Sequence, residues 1–587
     1  MKHFLKRGLP LLVLVSMQSC IDNGYDLDNI DTTSEFKVKD LVLPINLDVI
    51  TLGDIIEIKE GDQIKEISLN GQKIYAVQEK GTFHSDPISI PAFSSDAPSV
   101  SPSTLTFNNP LSRSTSTGNA SSLTFPLNQP IHRNVTYQAN DIDRSIIEIS
   151  DIYVSGYNVT INFYSEQAIS TLADIELSDI RIQLPKGLDI ECITPAGIYN
   201  DNGILTIPSL KFENGTASLS VNAKAINLPA NNAYIDSDNR SLSLSADINI
   251  ESANLTVTPK NTGTSMPSSS VNISVSYSLS PLSAEAVSGK IRYLLEGDAL
   301  NISPISLNDL PDFLAQEGTD LILNNPQIYL SVNNPVANDN IGYQTGLILT
   351  AVRENESNRT FSLDNGNFRV GYNLGNDGPY NFCLSPEMPS SVPSSFTGAT
   401  HVPFTSLGNV ISGNGLPKMI DIKLDNPQIY EQTVEKFALG RELGTLSGNW
   451  EFLAPLALKS GTASKIVYTE TKDGWNDEYV DAITISSLEI SLDASSTLPL
   501  KAHISGFPID KNGQPIAGVT IEGADIEANT SGQPVTIRVT GEVRHLDGIS
   551  FTATVLPGDN DETLSPDQTL TLDKIRVKVS GNYTKEL

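Results

Sequence analysis

Residues that usually carry protein chemistry are scarce in this sequence. Its 587 residues include three cysteines, two tryptophans and six histidines. His84, His132, His401, His503 and His545 are widely dispersed, and no Cys or His lies at zinc-ligand spacing from another. There is no Gly-x-Ser-x-Gly elbow, no His-Glu-x-x-His, no Cys-x-x-Cys, no Walker phosphate loop and no Gly-x-Gly-x-x-Gly. A glycosidase needs two opposed carboxylates, but 69 acidic residues single out no pair. The sequence therefore predicts a protein that is not an enzyme and takes no cofactor and no metal. Bases are also scarce: 38 Lys and Arg face 69 Asp and Glu, a net charge of −31. That field repels phosphate backbones, so nucleic acid is excluded as a partner. No second apolar run reaches transmembrane length, so membrane association must come from the N-terminus.

What is present begins there. Lys2, Lys6 and Arg7 precede a short apolar run from Leu9 to Met17, and Ser19 stands directly before Cys20. The run is too short to cross a hydrocarbon core of ~30 Å as a stable helix. It reads as a cleavable secretory signal over 1–19. Met17 and Gln18 spoil an ordinary small-x-small cleavage site. The stretch ending at Cys20 resembles the lipobox of a bacterial lipoprotein, although Met17 stands where many lipoboxes have Leu. The resemblance implies that the Cys20 thiol receives a diacylglycerol and that its new amino group is acylated. Several acyl chains, at ~0.8 kcal/mol per buried methylene, anchor a protein stably where one does not. Segment 20–35 follows, with Asp22, Asp26, Asp28 and Asp31 and no base before Lys37. It reads as a solvated tether. It is also similar to the acidic export signal of surface-exposed Bacteroidales lipoproteins, which implies the cell-surface side of the outer membrane. Asp31-Thr32-Thr33 fits the short O-glycosylation motif of that group.

Beyond the tether the dominant pattern is alternation of apolar and polar residues. Ser241-Leu-Ser-Leu-Ser-Ala-Asp-Ile-Asn-Ile250 and Val271-Asn-Ile-Ser-Val-Ser-Tyr-Ser-Leu279 alternate without a break, as do 535–539 and 575–579. Period two means strands with one buried and one wet face. Asn70-Gly71, Asn202-Gly203, Asn365-Gly366, Asp377-Gly378 and Asn512-Gly513 supply turn signals between them. The expected fold class is all-β, mainly antiparallel: tandem β-sandwich (Ig-like) domains with one or two short helices. Segment 306–316 is the best helix candidate and 432–439 a weaker one. Stretches 94–122, 258–270 and 386–400, rich in Ser, Thr, Pro and Asn, read as linkers or long loops. They divide the chain into a small β unit over 36–95, a β-sandwich over 120–285, a β-rich domain with a short helix over 286–410 and a C-terminal β-sandwich over 411–587. Cys192 and Cys383 fall in different domains. A disulfide between them and two separate buried thiols both remain open.

One segment recurs. Leu323-Asn-Asn-Pro-Gln-Ile-Tyr329 returns as Leu424-Asp-Asn-Pro-Gln-Ile-Tyr430, with a shorter relic at Asn333-Asn-Pro335. Equivalent strand-turn units explain this without an active site. Phe36-Lys-Val-Lys-Asp-Leu-Val-Leu-Pro-Ile-Asn46, Tyr75 to Phe83, Leu184-Pro-Lys-Gly-Leu188 and Phe507 to Gly513 together resemble uncharacterised Bacteroidales-type multi-domain β-rich outer-membrane lipoproteins. The resemblance implies an envelope address and supplies no activity.

The most concrete binding candidate is Trp475, in the polar loop Thr471-Lys-Asp-Gly-Trp-Asn-Asp-Glu-Tyr479. Sugar faces stack on exposed aromatic rings. Trp450, in a strand-like run, is expected in the core. The acids around Trp475 lack EF-hand spacing. The functional expectation is a lipid-anchored envelope protein presenting a non-catalytic binding or accessory surface, for glycan capture beside an outer-membrane transporter. The alternative is a structural or adhesive protein, a fimbrial or stalk-like subunit, cut after the first mature arginine, Arg113.

Overall fold

The computed structural model describes residues 33–586 apart from 46–48, 57, 59–62, 70, 109–121, 262–269, 296–301, 309–313, 315, 338–340, 355, 371–378 and 476–480. Among the described residues the protein is all-β, with seven sheets. The one parallel ladder among them joins Tyr380–Ser385 to Thr400–Pro403. The alternation becomes burial directly. In Ser270–Leu279, Val271, Ile273 and Val275 are buried and Asn272, Ser274 and Ser276 face outward. The unbroken alternation of 241–250 spans a change of sheet, because Ser241–Asp247 pairs with Asn134–Ala139 whereas Asn249–Pro259 pairs with Ala173–Gln183.

The 20-residue strand Ile146–Ser165 organises the largest sheet. Its first half pairs with Leu282–Ile291 and its second with Ser270–Leu279, while Thr216–Asn227 runs along its other side. Leu188–Thr194 and Ser103–Asn108 close the order. Phe163, Leu219, Val221, Ile273 and Val275 of this sheet share one buried cluster with Leu177, Ile182, Leu205, Ile207 and Val257 of a five-stranded sheet. That shared layer makes a sandwich. A second sandwich lies at the C-terminal end. Thr33–Ile45, Thr569–Glu586, Ile483–Ser496, Gln533–Val543 and Thr520–Glu522 form one layer, and Ile466–Lys472, Gly548–Pro557, Leu500–Ile509 and Ala524–Ile526 form the other. Ala494, Val535, Ala524 and Ile526 meet between them.

Sheets join segments far apart in sequence. Gln72–Ser89 pairs with Glu442–Pro455, and Thr33–Ile45 with Thr569–Glu586. Segment 36–95 therefore contributes strands to three sheets, two of them completed by these C-terminal strands and the third through Ser94–Ser95 beside Leu282–Ile291. In the first of these Trp450 is 2% exposed and lies across Gly81; a Cβ on Gly81 would come within 2.5 Å of the indole Nε1. The glycine is what admits the indole to the core.

Several local expectations are corrected. Segment 432–439 is not a helix: Gln432–Ala438 is a strand beside Leu282–Ile291. Val434 and Phe437 mimic a helical spacing because Lys436, at φ 50°, forms a bulge that adds one residue between two inward positions. Ser103–Asn108, expected in a linker, is a strand with Leu105 and Phe107 fully buried. Asn365-Gly366 is not a turn but lies within Arg359–Val370, where the register jumps between Leu347↔Leu363 and Thr345↔Phe368. Asn70 of the Asn70-Gly71 signal lies outside the described residues, but the strands either side of it pair as a hairpin, with Leu69 opposite Gln72 and Gly71 at φ 82°. Asp377-Gly378 lies outside the described residues, as does most of the 306–316 helix candidate. Short helices occur at Leu52–Ile55 and Gln167–Leu172. Cys192 and Cys383 are both free, the first exposed and the second buried. The expectation that both thiols are buried therefore fails for Cys192.

The recurring segment is core. Gln327 and Ile328 are buried in one copy and Gln428 and Ile429 in the other. In the first copy a bend at 324–325 leads into Gln327–Asn333. In the second, Asn426 at φ 47° makes a bulge inside Met419–Ile429. The same residues thus serve two backbone solutions with the same inward faces.

Candidate functional site

Four adjacent strands of the largest sheet turn an uncharged face outward. Segments 103–108, 158–164, 216–222 and 270–278 contain no Asp, Glu, Lys or Arg, in a chain that is 18% charged. Register places Asn162 between Ser218 and Ser276, Tyr164 between Thr216 and Ser274, and Thr104 beyond Ser274. The face is therefore a flat array of amides and hydroxyls.

Its side chains hold one another. Asn158 Nδ2 donates to Ser220 Oγ at 2.8 Å and Thr160 Oγ1 donates to Asn158 Oδ1 at 2.6 Å. Ser218 Oγ donates to Asn162 Oδ1 at 2.9 Å, and Thr106 Oγ1 to Asn272 Oδ1 at 3.2 Å. Charges appear only at the margins, where Lys224 pairs with Asp189 at 3.3 Å and Asn272 Nδ2 donates to Glu166 at 3.3 Å.

An open cleft of about 710 Å³ lies at one end of this face, lined by Asn162, Tyr164, Thr216 and Ser218, by Ser209 to Lys211, by Glu213 and by the cis Thr194-Pro195 peptide. Tyr164 is 43% exposed, while Phe163 beside it is fully buried. A tight hairpin builds the rim. Glu213 and Thr216 exchange backbone hydrogen bonds at 2.8 and 3.0 Å. Asn214 and Gly215 between them both have positive φ, 49° and 81°, the conformation an Asn-Gly pair favours in two-residue hairpins. Lys211 and Glu213 are the ionisable partners offered beside the phenol. Ser209 is turned back onto Glu176, to which its hydroxyl donates. The arrangement supplies one exposed ring for stacking and a ring of donors and acceptors without net charge. Such a set suits a polyhydroxylated, uncharged ligand.

The sequence-predicted residues are not brought to this cleft among the described residues. Cys20 is outside the described residues. Trp475 is half-buried; its backbone N–H donates to the Asp547 carbonyl at 2.7 Å, and Gly474 N–H donates to Asp547 Oδ2 at 3.3 Å. The loop is thus pinned to the turn before Gly548, and Trp475 does not line the cleft. Tyr164 is the residue that sequence reasoning missed. Its signal was present: adjacent aromatics on a strand must point to opposite faces, so Phe163-Tyr164 commits one ring to solvent once the other enters the core. Among the described residues no group of three or more His, Cys, Asp or Glu gathers as metal ligands.

No family model matches the chain, and no curated protein matches it. Among solved structures, a candidate secreted protein from Parabacteroides distasonis is 17% identical with a TM-score of 0.35, over 50% of this chain and 89% of that one. The Sulfolobus turreted icosahedral virus is 10% identical with a TM-score of 0.12, over 83% of this chain and 91% of that one. Broad bean stain virus is 8% identical with a TM-score of 0.13, over 51% and 90%. TM-scores this low do not establish a shared fold.

Proposed function

We propose that the protein is a non-catalytic envelope protein that captures a neutral glycan on the Tyr164 face while acylated Cys20 holds it to the outer membrane, facing the cell surface. The uncharged amide and hydroxyl face ending in an exposed tyrosine carries this reading. A charged face would favour ionic ligands, and an apolar one would favour lipid or protein. Amides already fixed by their neighbours lose little rotamer freedom when a ligand binds. An outer-membrane transporter is the natural recipient of a captured oligosaccharide, and Trp475 remains a second stacking candidate on a separate loop.

A glycan array probed with the full chain tests this. Neutral oligosaccharides should bind, and Tyr164→Ala should weaken the best of them by about tenfold, or ~1.4 kcal/mol. Trp475→Ala tests the other loop in the same assay. A flat array with folded protein would sink the reading. We favour capture over the fimbrial alternative because cleavage after Arg113 would remove Thr33–Ile45, Gln72–Ser89 and Ser103–Asn108 from three different sheets.

A further inference from the structure

Exposed apolar side chains concentrate in one stretch of the chain. Of the fourteen large hydrophobics exposed among the described residues, six fall between residues 36 and 58: Phe36, Val38, Leu41, Val42, Val49 and Ile58. Thr33–Ile45 is the outermost strand of its sheet and pairs with Thr569–Glu586; Ile50–Thr51 continues along the same side of that partner. Phe36 and Val38 lie on one face. The register then jumps from Val38↔Gly581 to Leu41↔Val579, with Asp40 at φ 54°, so Leu41 rejoins that face. Phe36 remains 57% exposed and Leu41 46%. Lys578, on the partner strand, pairs with Asp40 at 3.1 Å.

Two observations identify the occupant. The first is position. Twelve residues separate Cys20 from Thr33. Whatever its conformation, a chain of that length cannot span more than about 45 Å. An anchor at Cys20 therefore keeps this edge beside the bilayer. The second is charge. Segments 33–45 and 569–586 together carry six Lys and Arg against four Asp and Glu, whereas the whole chain carries 38 against 69. This edge carries a small net positive charge in an otherwise acidic protein, which anionic headgroups do not repel. Strand addition by a second copy is opposed by the bulge at Asp40 and by Pro44, which interrupt a free edge.

We infer that the edge formed by Thr33–Ile45 and Ile50–Thr51 rests in the interfacial zone of the membrane that holds Cys20, with Phe36, Val38 and Leu41 entering it. The inference rests on the acylation of Cys20 for its proximity argument. It makes the anchor a hinge with a seat: the lipid holds the protein and the edge orients it.

The test uses the acylated full chain in vesicles of phosphatidylethanolamine and phosphatidylglycerol. A fluorophore is placed at Val38→Cys, or at Ser274→Cys as a control on the glycan face, each in a Cys192→Ser background. The label at 38 should be quenched by lipid-borne quenchers and shielded from aqueous ones by about an order of magnitude relative to 274. Phe36→Asp with Leu41→Asp should release it to water while flotation with vesicles persists through the anchor. Equal aqueous access at 38 and 274 overturns the inference. So does shielding that appears without vesicles and grows with protein concentration, which would mean self-association. Mass spectrometry of Cys20 reads the acylation separately, so loss of flotation for want of lipid is distinguishable from failure of the edge to insert.

Discussion

Tyr137 and Tyr157 meet in the core with ring centroids 5.9 Å apart, and the Tyr137 hydroxyl donates to that of Tyr157 at 3.1 Å. Burial pushes the Tyr157 phenol from the ordinary 10.0 up to about 12 and also raises Tyr137. The neutral phenol is the form the fold accepts. Its contribution is therefore complete below pH 10 and declines as pH rises from about 10 through 12, by roughly 3 kcal/mol for a shift of this size. Denaturant midpoints measured across pH 9–12 should fall steeply over that interval, and Tyr157→Phe should flatten the fall. An unchanged profile in the Phe variant would show that these rings do not govern it. Neither ring's environment was legible in the sequence, because Tyr137 and Tyr157 come from strands in different sheets. Trp450 was easier, since Asn449-Trp-Glu-Phe-Leu453 already reads as a strand. Its need for Gly81, hundreds of residues away, was not.

At the scale of elements, the hairpin tip at Asn214-Gly215 shows how a short turn places a binding rim. Gly215 has φ 81°, and a Cβ there would also press on Ser170 Oγ at 3.0 Å. Gly215→Ala should cost about 1–2 kcal/mol through the left-handed backbone alone. It should also loosen the cleft, which titration with the best array ligand would detect as weaker binding alongside a lower Tm. Retained affinity would place the ligand away from this rim. Strands were largely legible because period two translates directly into burial. Bulges were not. Lys436 and Asn426 each insert a residue, and such insertions gave Gln432–Ala438 the look of a helix turn and hid a kink inside Met419–Ile429. A bulge is stabilised by its partner strand, so the local sequence cannot announce it. The uncharged face, by contrast, could have been read from four segments without a single charge, had their adjacency been known.

The whole molecule is held by pairings between its ends and its middle. Local periodicity says that a strand exists but not which strand will lie beside it, so the partition into consecutive domains carried no information on the ladders 72–89 with 442–455 or 33–45 with 569–586. Ending the chain at residue 568 should therefore damage more than a tail. Thr33–Ile45 and Ile483–Ser496 would both lose their shared neighbour. Limited proteolysis should then cut within 33–58 and 483–496, while 146–165, whose partners lie elsewhere, stays protected. Protection throughout would mean that the C-terminal strand is dispensable.

The pairing of Thr33 with Glu586 also sets an order of events in time. Ribosomes add about 5–20 residues per second, so the strand ending at Ile45 exists for roughly 30–100 s before Thr569 is made. Throughout that interval an amphipathic segment with Phe36, Leu41 and Val42 has no native neighbour. A strand made early is thus among the last to be completed. Its delivery depends on whatever keeps an unfinished sheet from sticking to other chains until the final residues arrive.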